Sequence, residues 1–317
     1  MGRTVRVSDS EIADTPVRVL LTGARGFVGR HCLAKLVAKG HEVHAVSSVH
    51  QISRPGCQWH TVDLLNAIEV RTLISTVRPS HLLHLAWYTD HGTYWHAPEN
   101  LAWVQASLGL MKEFADSGGQ RIVAAGTCAE YDWSYEICKE NTTPCRPSTL
   151  YGAAKHGTQL ILNAWAKQAN ISSAWGRLFF LYGPGQPPSF LIPSIATSLL
   201  KGEQAVCSNS DLVRDYIYVE DAATALTSLL EGEVDGVVNI ASGRALQIKD
   251  LALMIGDLLD KQDLIHFGKM PLGYSEPQRL IADVSRTKSE LGFQPYFDVA
   301  QGLSMTLDHI KTSFKAI

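Results

Sequence analysis

The 317-residue chain is long enough to bury a large core or to divide into one large and one smaller domain. Its hydrophobic content of 45% is ordinary, and 28 basic against 31 acidic residues give a net charge of −3, which excludes a basic field for nucleic acid or anionic lipid. No apolar run has the length of a membrane span, and we expect a chain without membrane association.

Residues 1–15 are polar and mixed, and they are predicted to form a flexible N-terminal extension. The apolar run 17–21 then predicts a buried strand. A helix follows and ends near Gly40, because apolar residues recur at helical spacing. These residues are Phe27, Val28, Cys32, Leu33, Leu36 and Val37.

Three glycines, in the spacing G-x-x-G-x-x-G, occupy the turn between this strand and this helix. Gly23 permits a tight turn, Gly26 lets a diphosphate approach the backbone, and Gly29 lets the helix pack closely on the strand. The backbone N–H groups at the start of the helix would face the anion. A Gly-rich turn in this setting predicts a dinucleotide site.

The second predicted strand, residues 41–46, leads into Ser47 and Ser48. A carboxylate at this point would bind the ribose hydroxyls of adenosine and repel a 2′-phosphate. No carboxylate stands here, while Arg25 lies inside the Gly-rich turn and Arg54 lies downstream. This combination favours NADP(H) over NAD(H); the alternative is that Arg25 is simply a solvated side chain.

Two further predicted strands, 59–62 and 81–86, bring more residues to the same edge. After the first, Asp63 would either accept a hydrogen bond from the adenine amino group or cap its own loop. At the end of the second, Ala86 would have to stay small beneath the cofactor. The tract 87–96, rich in aromatic residues and histidine, is predicted to be a lid that faces the substrate, with loop packing as the alternative.

Strands and helices continue to alternate to about residue 180, which predicts a doubly wound parallel sheet of the α/β class with helices on both faces. The elements predicted here are a helix over 98–117, a strand over 121–125 and a long helix from about 148. We therefore assign residues 16–180 to a dinucleotide-binding domain.

A turn-rich segment at 182–188 follows this domain and marks a change in the sequence pattern. We predict that residues 181–317 form mainly a smaller, mostly helical substrate-binding lobe. Some of its elements are expected to return to the sheet. The predicted helices are 190–200, 222–230, 248–260 and 299–310, and the predicted strand is 237–240. The cleft between the two parts is then the expected site.

Tyr151 and Lys155 are four residues apart on the predicted long helix, so they share one face. An isolated phenol has a pKa near 10, and a neighbouring ammonium group favours the phenolate. Thr127, at the end of a strand, would supply a hydroxyl to the same substrate oxygen. This set would transfer a proton at a carbonyl or carbinol while a nicotinamide takes or gives a hydride.

The six cysteines are dispersed and form no C-x-x-C pair, which indicates reduced thiols in the cytosol rather than a disulfide framework. Cys138 and Cys145 near His156 are the one grouping with metal-ligand residue types, and their spacing does not match a metal site. We predict no metal.

Taken together, these motifs resemble those of the extended short-chain dehydrogenase/reductases, a family of nucleotide-sugar epimerases, dehydratases and 4-keto-sugar reductases. The resemblance covers nearly all of the chain after residue 15 and implies a Rossmann-type fold. The matching segments are the T-G-x-x-G-x-x-G turn at 22–29, H-L-A at 84–86, Thr127, Tyr151 with Lys155, Y-G-P-G at 182–185, 214–221 and 283–295. Glu140, Pro144 and Pro147 precede the tyrosine at family-like spacing.

Departures from the family pattern narrow the range of reactions that the protein could catalyse. The Asp-Glu pair that follows the catalytic threonine in 4,6-dehydratases is replaced by Cys128 and Ala129, which argues against dehydration. An asparagine of the family is replaced by Phe180, and Glu130 stands where an apolar residue is common; it would face the substrate or lie exposed in a loop. The resemblance implies that Arg214 contacts the substrate diphosphate, with a salt bridge to Asp215 or Glu220 as the alternative.

The resemblance and the motifs together predict the following site. The catalytic residues are Thr127, Tyr151 and Lys155. Cofactor contacts are expected from Gly23, Arg25, Gly26, Phe27, Val28, Gly29, Ser47, Ser48, Asp63, Leu64, Leu85, Ala86, Tyr151 and Lys155. Substrate contacts are expected from Trp87, Thr127, Cys128, Ala129, Glu130, Phe180 and Arg214.

The leading hypothesis is an NADPH-dependent reductase acting at C4 of a nucleotide-linked 4-keto-6-deoxyhexose. The main alternative is an NAD-dependent nucleotide-sugar 4-epimerase, and a third is a non-catalytic cofactor-binding protein. The resemblance also implies a homodimer formed through the helices predicted at 98–117 and 148–169. We expect a cytoplasmic protein.

Overall fold

The computed structural model describes residues 16–208, 210–268 and 277–315. The predicted N-terminal extension, residues 1–15, lies outside the described residues. Within the described ranges the chain forms a large central sheet with helices on both faces, and a smaller lobe of short strands and helices beside it.

Seven strands form the central sheet, and eight short strands lie outside it in the described residues. The central strands are β1 Arg18–Thr22, β2 Glu42–Ser47, β3 Cys57–Thr61, β4 His81–His84, β5 Arg121–Thr127, β7 Ser172–Leu178 and β12 Gly236–Ile240. The short strands are β6 Ile137–Cys138, β8 Phe180–Tyr182, β9 Ala205–Ser208, β10 Val213–Arg214, β11 Tyr216–Tyr218, β13 Leu246–Gln247, β14 Ile265–Gly268 and β15 Arg279–Ala282. The α-helices are α1 Gly29–Ala38, α2 Ala67–Val77, α3 Glu99–Asp116, α4 Leu150–Ala169, α5 Leu191–Lys201, α6 Val219–Glu231, α7 Ile248–Leu259, α8 Ser285–Ser289 and α9 Val299–Lys315.

The central sheet is parallel throughout, in the order β12-β7-β5-β4-β1-β2-β3. This confirms the predicted doubly wound, Rossmann-type architecture. The strand order reverses between β1 and β4, and ligands of such sheets bind at the carboxyl ends of the strands beside that reversal. The predicted cofactor and catalytic residues lie on the loops and helix starts that follow these strand ends.

Both faces of the sheet are buried, because successive residues of each strand point to opposite sides. In β1, Val19 and Leu21 pack into one core with residues of α1 and α6. Leu20, between them, packs into a second core with residues of α2, α3 and α4. This alternation positions the carboxyl end of β1, and with it the Gly-rich turn, between two packed layers.

The lobe has its own core, formed largely by α5, α7 and α9 with short strands around them. Its four-stranded sheet has the order β13-β10-β15-β6 and therefore recruits β6 from the first half of the chain. In the opposite direction, α6 packs on the central sheet and β12 pairs with β7 at its edge. The two parts are thus interleaved along the sequence.

Candidate active site

The Gly-rich turn between β1 and α1 is shaped by close backbone contacts. Gly23 has a φ of 70°, and its carbonyl accepts a 2.8 Å hydrogen bond from the N–H of Gly26. A Cβ on Gly23 would lie 2.8 Å from the backbone nitrogen of Ala86, and a Cβ on Gly29 would lie 2.0 Å from the Gly23 carbonyl oxygen. Both positions therefore have room only for glycine.

The start of α1 has the features of an anion site. Val28 occupies the N-cap position, and no side chain of the described residues caps the helix there. Arg25 and Gly26 are exposed at the rim of the turn, and Phe27 is half-buried beside them. Because the first N–H groups of a helix lack partners within it, this cradle fits the diphosphate of a dinucleotide.

A buried hydrogen-bond chain fastens the turn to the end of β4. The Thr22 hydroxyl accepts the backbone N–H groups of Leu85 and Ala86 at 3.1 and 3.2 Å, and it lies 2.7 Å from Nδ1 of His84. Its own proton is therefore donated to Nδ1. The other ring nitrogen, Nε2, then carries the histidine proton and donates it to the Ser107 hydroxyl at 2.9 Å.

We expect His84 to make the folded protein sensitive to acid. Burial lowers the pKa of His84 from 6.5 to about 3, so the folded protein binds fewer protons than the unfolded chain between these values. The free energy of unfolding therefore falls as the pH is lowered from 6.5, by about 2 kcal/mol at pH 5. Urea denaturation of wild type and His84→Gln between pH 8 and 4 measures this; equal slopes in both proteins would contradict it.

The predicted adenine end of the site lies at the carboxyl ends of β2 and β3. Ser47 is buried, and its hydroxyl donates to the Val49 carbonyl, whereas Ser48 is exposed. Asp63 is exposed, and its carboxylate accepts the N–H of Leu65, which is the loop-capping alternative that the sequence left open. Leu64, next to it, packs into the core beneath the sheet edge.

Tyr151 lies in the first turn of α4, directly against the strand end that carries Thr127. Thr149 caps the helix by accepting the N–H of Gly152, and the backbone N–H of Tyr151 donates to the Trp95 carbonyl at 3.1 Å. The Thr127 side chain acts on the Tyr151 phenol as a hydrogen-bonding neighbour that lowers its pKa. Two of the three predicted catalytic residues are thus neighbours.

Lys155 lies one helical turn further along α4 and is buried. Its ammonium group donates to the Ala125 carbonyl at 2.9 Å and stands 3.9 Å from the ring centroid of Trp87. Burial lowers the pKa of Lys155 to about 7, and the negative charge of Glu130 opposes this decrease. The predicted substrate residue Trp87 therefore faces the lysine, as a cation–π partner.

The expected effect of Lys155 on Tyr151 is wrong for the protein in this state. Burial raises the pKa of the Tyr151 phenol above its usual value, and the hydrogen bond from Thr127 lowers it only in part. Glu130 adds to the increase. Desolvation is the largest influence on the pKa of Tyr151, while the Lys155 ammonium group donates to the Ala125 carbonyl and lies over the Trp87 ring.

Glu130 is neither exposed in a loop nor directed at a substrate, so both expectations for it are wrong. Its side chain is fully buried and accepts hydrogen bonds from the Thr127 N–H at 2.8 Å and from Trp175 Nε1 at 2.8 Å. Its second oxygen forms an ion pair with Nε of Arg177 at 2.6 Å. The carboxylate is directed into the sheet because its partners lie on the neighbouring strands β5 and β7.

The aromatic tract 87–96 packs against Tyr151, the predicted catalytic tyrosine. The rings of Tyr94 and Trp95 meet the Tyr151 ring edge to face, with centroids 4.9 and 5.8 Å away. Trp133 stands edge to face with Trp95 at 6.1 Å. Tyr94, Trp95 and Trp133 are each partly exposed, so they form an open aromatic wall at the position of the reacting group. We call these three residues the aromatic wall.

The comparisons with known proteins agree with this geometry. Residues 19–241 match the family model described as "NAD dependent epimerase/dehydratase family". The chain belongs to the NAD-dependent epimerase/dehydratase family. It is 26% identical over 310 residues to UDP-glucuronic acid decarboxylase 1 of Danio rerio, covering 92% of this chain and 72% of that protein.

Two other similarities bear on the reaction. The chain is 24% identical over 243 residues to dTDP-6-deoxy-L-talose 4-dehydrogenase (NAD(+)) of Aggregatibacter actinomycetemcomitans, covering 74% of this chain and 87% of the relative. The structure of MoeE5 in complex with UDP-glucose and NAD superposes with a TM-score of 0.83 at 27% identity, covering 94% of this chain and 99% of that one.

The remaining predicted substrate positions of this family member differ in exposure. Cys128 and Ala129 are buried, and the Cys128 carbonyl accepts the Trp133 indole N–H. Arg214 is 4% exposed; its guanidinium donates to the carbonyls of Val213 and Pro277 and lies 5.4 Å from the ring centroid of Phe180. Its neighbour Asp215 binds Ser242, Gly243 and Ala282.

Sequence reasoning missed a polar residue that positions the aromatic tract. Asn100 in α3 is completely buried; its carbonyl oxygen accepts the indole N–H of Trp87 at 2.9 Å, and its amide donates to the Tyr94 carbonyl at 2.7 Å. Ser107, two turns along the same helix, bonds His84. Asn100 and Ser107 are polar residues that share one face of α3 with the apolar Trp103. This mixture of polar and apolar residues on one helix face could have identified them from the sequence.

Three further observations concern the described residues of this family member. No group of three or more His, Cys, Asp or Glu side chains within 16–208, 210–268 and 277–315 could hold a metal ion. In the same ranges no helix combines the length and apolar character needed to cross a membrane. All six cysteines are free thiols.

Proposed function

We propose that the protein reduces the C4 ketone of a nucleotide-linked 4-keto-6-deoxyhexose. The observation that carries this proposal is the grouping of Thr127, at the end of β5, with Tyr151 and the buried Lys155 one turn apart on α4. The residues after Thr127, Cys128 and Ala129, provide no acid and base for elimination of water. The relative from A. actinomycetemcomitans is a 4-dehydrogenase of a 6-deoxy sugar nucleotide, which supports redox chemistry at C4.

In this mechanism the protein handles the proton. When bound, a reduced nicotinamide supplies the hydride that C4 receives. The Thr127 hydroxyl donates a hydrogen bond to the C4 oxygen, and the Tyr151 hydroxyl gives that oxygen its proton. Burial keeps the Tyr151 phenol protonated at neutral pH, which is the form that a proton donor requires. Lys155, one helical turn along α4, would stabilise the phenolate that remains once substrate and cofactor fill the site.

The Gly-rich turn and the start of α1 would hold the cofactor diphosphate, and Lys155 would hold its nicotinamide ribose. We propose NADP(H) as the preferred form. Ser47 and Ser48 leave the end of β2 without a carboxylate that would repel a 2′-phosphate, and the exposed Arg25 guanidinium lies in the facing turn. The MoeE5 structure contains NAD, so the affinity for NADP(H) should be compared with the affinity for NAD(H).

The aromatic wall supports a 6-deoxy sugar. A C6 methyl group is apolar and suits contact with Tyr94, Trp95 and Trp133 beside Tyr151. A C6 carboxylate, as in a UDP-glucuronic acid, would need a cation, and the buried Arg177 is paired with Glu130. Phe180 and Arg214 would contact the nucleotide diphosphate end.

A 4-epimerase is the second candidate, because it would use the same three catalytic residues and MoeE5 binds UDP-glucose together with NAD. The two differ in their cofactor balance. A reductase consumes one NADPH for each sugar reduced, whereas an epimerase returns the hydride to the opposite face of the same sugar and leaves the nicotinamide unchanged.

The deciding experiment follows NADPH and NADH absorbance with a dTDP- or UDP-linked 4-keto-6-deoxyhexose as substrate. We expect one NADPH oxidised for each product molecule, a product two mass units heavier, and slower turnover with NADH. In parallel, the purified protein is incubated with UDP-hexoses and UDP-glucuronic acid without added cofactor. Isomerisation or loss of carbon dioxide in those samples, with no reduction of the keto sugar, would overturn the proposal.

We also propose a cytosolic homodimer. The helices α3 and α4 pack side by side on one face of the sheet and leave apolar side chains exposed. These are Leu101, Leu160 and Ile161, with exposures of 63, 53 and 49%. A second copy of the same helix pair would cover them. The free thiols support a reducing compartment.

A further inference from the structure

A buried carboxylate lies directly beneath the strand end that carries Thr127. Glu130 is 0% exposed. One of its oxygens accepts the Thr127 N–H and the Trp175 indole N–H, each at 2.8 Å, and the other accepts Nε of Arg177 at 2.6 Å. All of these donors belong to β5 or β7, neighbouring strands of the central sheet.

The contact between Glu130 and Thr127 runs in both directions. The Thr127 hydroxyl accepts the Ala129 N–H at 3.2 Å, while the Glu130 carboxylate accepts the Thr127 N–H, so the two residues form a capping box around one short turn. Thr127 is thereby held in extended geometry, with φ of −148° and ψ of 147°. The orientation of its hydroxyl towards Tyr151 depends on this turn.

The Glu130 carboxylate has space because the residue before Thr127, Gly126, has no side chain. A Cβ on Gly126 would lie 2.0 Å from Trp175 Nε1 and 2.6 Å from the Glu130 carboxylate. Gly126 lies opposite Arg177 in the register of β5 and β7. The sheet is therefore built so that Glu130 and Trp175 occupy the volume beside the residue that precedes Thr127.

The partner of Glu130 is held by contacts of its own. The Arg177 guanidinium lies 4.4 Å from the ring centroid of Tyr131 and donates from Nη2 to the Cys145 sulfur. The Tyr131 hydroxyl in turn donates to the Asn239 side chain at 2.8 Å. The ion pair is thus anchored in a polar network that extends from β5 across β7 to β12.

We propose that Glu130, paired with Arg177, is a positioning residue that fixes the Thr127 hydroxyl and places a negative charge beneath Tyr151 and Lys155. This proposal rests on the proposed function, which gives Thr127, Tyr151 and Lys155 their catalytic roles. A buried ion pair generally gains no more stability than apolar residues of equal volume. The carboxylate is instead bonded to the backbone of Thr127 itself, which gives the ion pair a role in holding that residue.

The charge acts on groups that several elements bring together. The Lys155 ammonium group on α4 lies 3.9 Å from the ring centroid of Trp87 and 6.0 Å from that of Trp175, whose indole N–H binds Glu130. It interacts electrostatically with Glu130 and with His84 on β4. The charge of Glu130 raises the pKa of Lys155 against the effect of burial, and it raises the pKa of Tyr151 as well.

Tyr151 is also faced by Thr127, Cys128 and the phenol of Tyr94. Desolvation raises the pKa values of Cys128 and Tyr94 still further above neutral, so both are uncharged at physiological pH. Glu130 is therefore the negative charge that Lys155 and Tyr151 share at neutral pH.

The experiment measures the ammonium group directly, in protein free of cofactor. Competitive acetylation of Lys155 with acetic anhydride, quantified by mass spectrometry between pH 5 and 10, gives the midpoint of its titration. Glu130→Gln keeps the shape and an acceptor for the Thr127 N–H but removes the charge. We expect its Lys155 midpoint to fall by about one pH unit, and kcat in the reductase assay to fall about tenfold with KM little changed.

Two further variants separate positioning from folding. Asp221→Asn removes another buried carboxylate that accepts two backbone N–H groups, those of Tyr296 and Phe297, and should leave the Lys155 midpoint unchanged. The paired variant Glu130→Gln with Arg177→Met removes both charges and avoids an unpaired guanidinium if the single variant is unstable. Its Lys155 midpoint should also fall below that of wild type, by less than in the single variant, because the positive charge of Arg177 is removed as well.

A Lys155 midpoint equal to that of wild type, in either Glu130 variant, would overturn the proposal. The acetylation readout needs no substrate and therefore stands apart from the reaction. A lowered midpoint in a protein that does not reduce 4-keto sugars would refute the proposed function and leave the positioning role in place. An unchanged Lys155 midpoint in a protein that does reduce 4-keto sugars would refute the positioning role and leave the proposed function in place.

Discussion

Replacing Tyr151 by Phe is expected to lower kcat about a thousandfold while the protein stays folded and binds its cofactor with nearly unchanged affinity. The substitution removes one oxygen atom, the proposed proton donor, and general acid catalysis contributes about 10²- to 10⁴-fold to such reactions. Phe retains the ring that meets Tyr94 and Trp95 edge to face. Removing the phenol oxygen that interacts with Thr127 is expected to lower the free energy of unfolding by about 1 kcal/mol.

The matched control is Tyr218→Phe, which removes a buried phenol outside the site. Tyr218 is 1% exposed, and its hydroxyl contacts the Met305 sulfur at 3.8 Å. Its kcat should stay within a factor of two of wild type. Steady-state kinetics and a fluorescence titration with NADPH measure both variants. Full activity in Tyr151→Phe would remove this residue from the mechanism, and a wild-type protein that binds cofactor but turns over no sugar would favour a cofactor-sensing role.

The sequence predicted those parts of the molecule that depend on local pattern. The apolar periodicity of residues 17–21 and 81–86 identified β1 and β4, and the glycine spacing identified the turn between β1 and α1. The four-residue interval between Tyr151 and Lys155 placed both on one face of α4, as found. Errors at the element ends were small, because the capping residue Thr149 and not the first helix-favouring residue sets where α4 begins.

Features that depend on distant residues were not predictable in the same way. Arg177 is 47 positions from Glu130, and the two meet because β5 and β7 become neighbours in the sheet. Nothing near Glu130 in the sequence indicates that partner. Likewise, β6 joins β15 in a small sheet whose other members come from the second half of the chain.

The direction of the Tyr151 pKa is a third case. The sequence places an ammonium group near the phenol, which alone would lower its pKa. Desolvation opposes this effect, and its size depends on the depth at which Tyr94, Trp95 and the end of β5 bury the hydroxyl. Spacing along one helix predicts which charged groups are neighbours. The depth at which a hydroxyl is buried depends instead on how strands and helices from distant parts of the chain pack together.

Substituting Gly29 by Ala is expected to weaken cofactor binding at least a hundredfold and to lower the free energy of unfolding by about 1–3 kcal/mol. The new Cβ would lie 2.0 Å from the Gly23 carbonyl oxygen, 2.7 Å from the Gly23 carbonyl carbon and 2.9 Å from Cα of Ala24. All three atoms belong to the backbone, so no side-chain rotation relieves the clash. NADPH fluorescence titration and urea denaturation without cofactor measure the two effects.

Gly109→Ala serves as the control, because Gly109 is exposed in α3 and a Cβ there would meet nothing within 4 Å. Alanine favours the helix, so this variant should be more stable by up to about 1 kcal/mol, with wild-type cofactor affinity. Wild-type affinity in Gly29→Ala would instead mean that the diphosphate does not lie on this turn.

The large effect expected at Gly29 follows from how the turn is fixed on its opposite side. Gly23 cannot retreat from an alanine at 29, because its own Cα faces the backbone of Leu85 and Ala86 at the end of β4. The Thr22 hydroxyl binds the N–H groups of those same two residues. The turn would have to break these bonds or α1 would have to move away from β1, and either change would displace the N–H groups proposed to bind the diphosphate. The close packing that makes glycine necessary is thus the same feature that holds the diphosphate cradle in place.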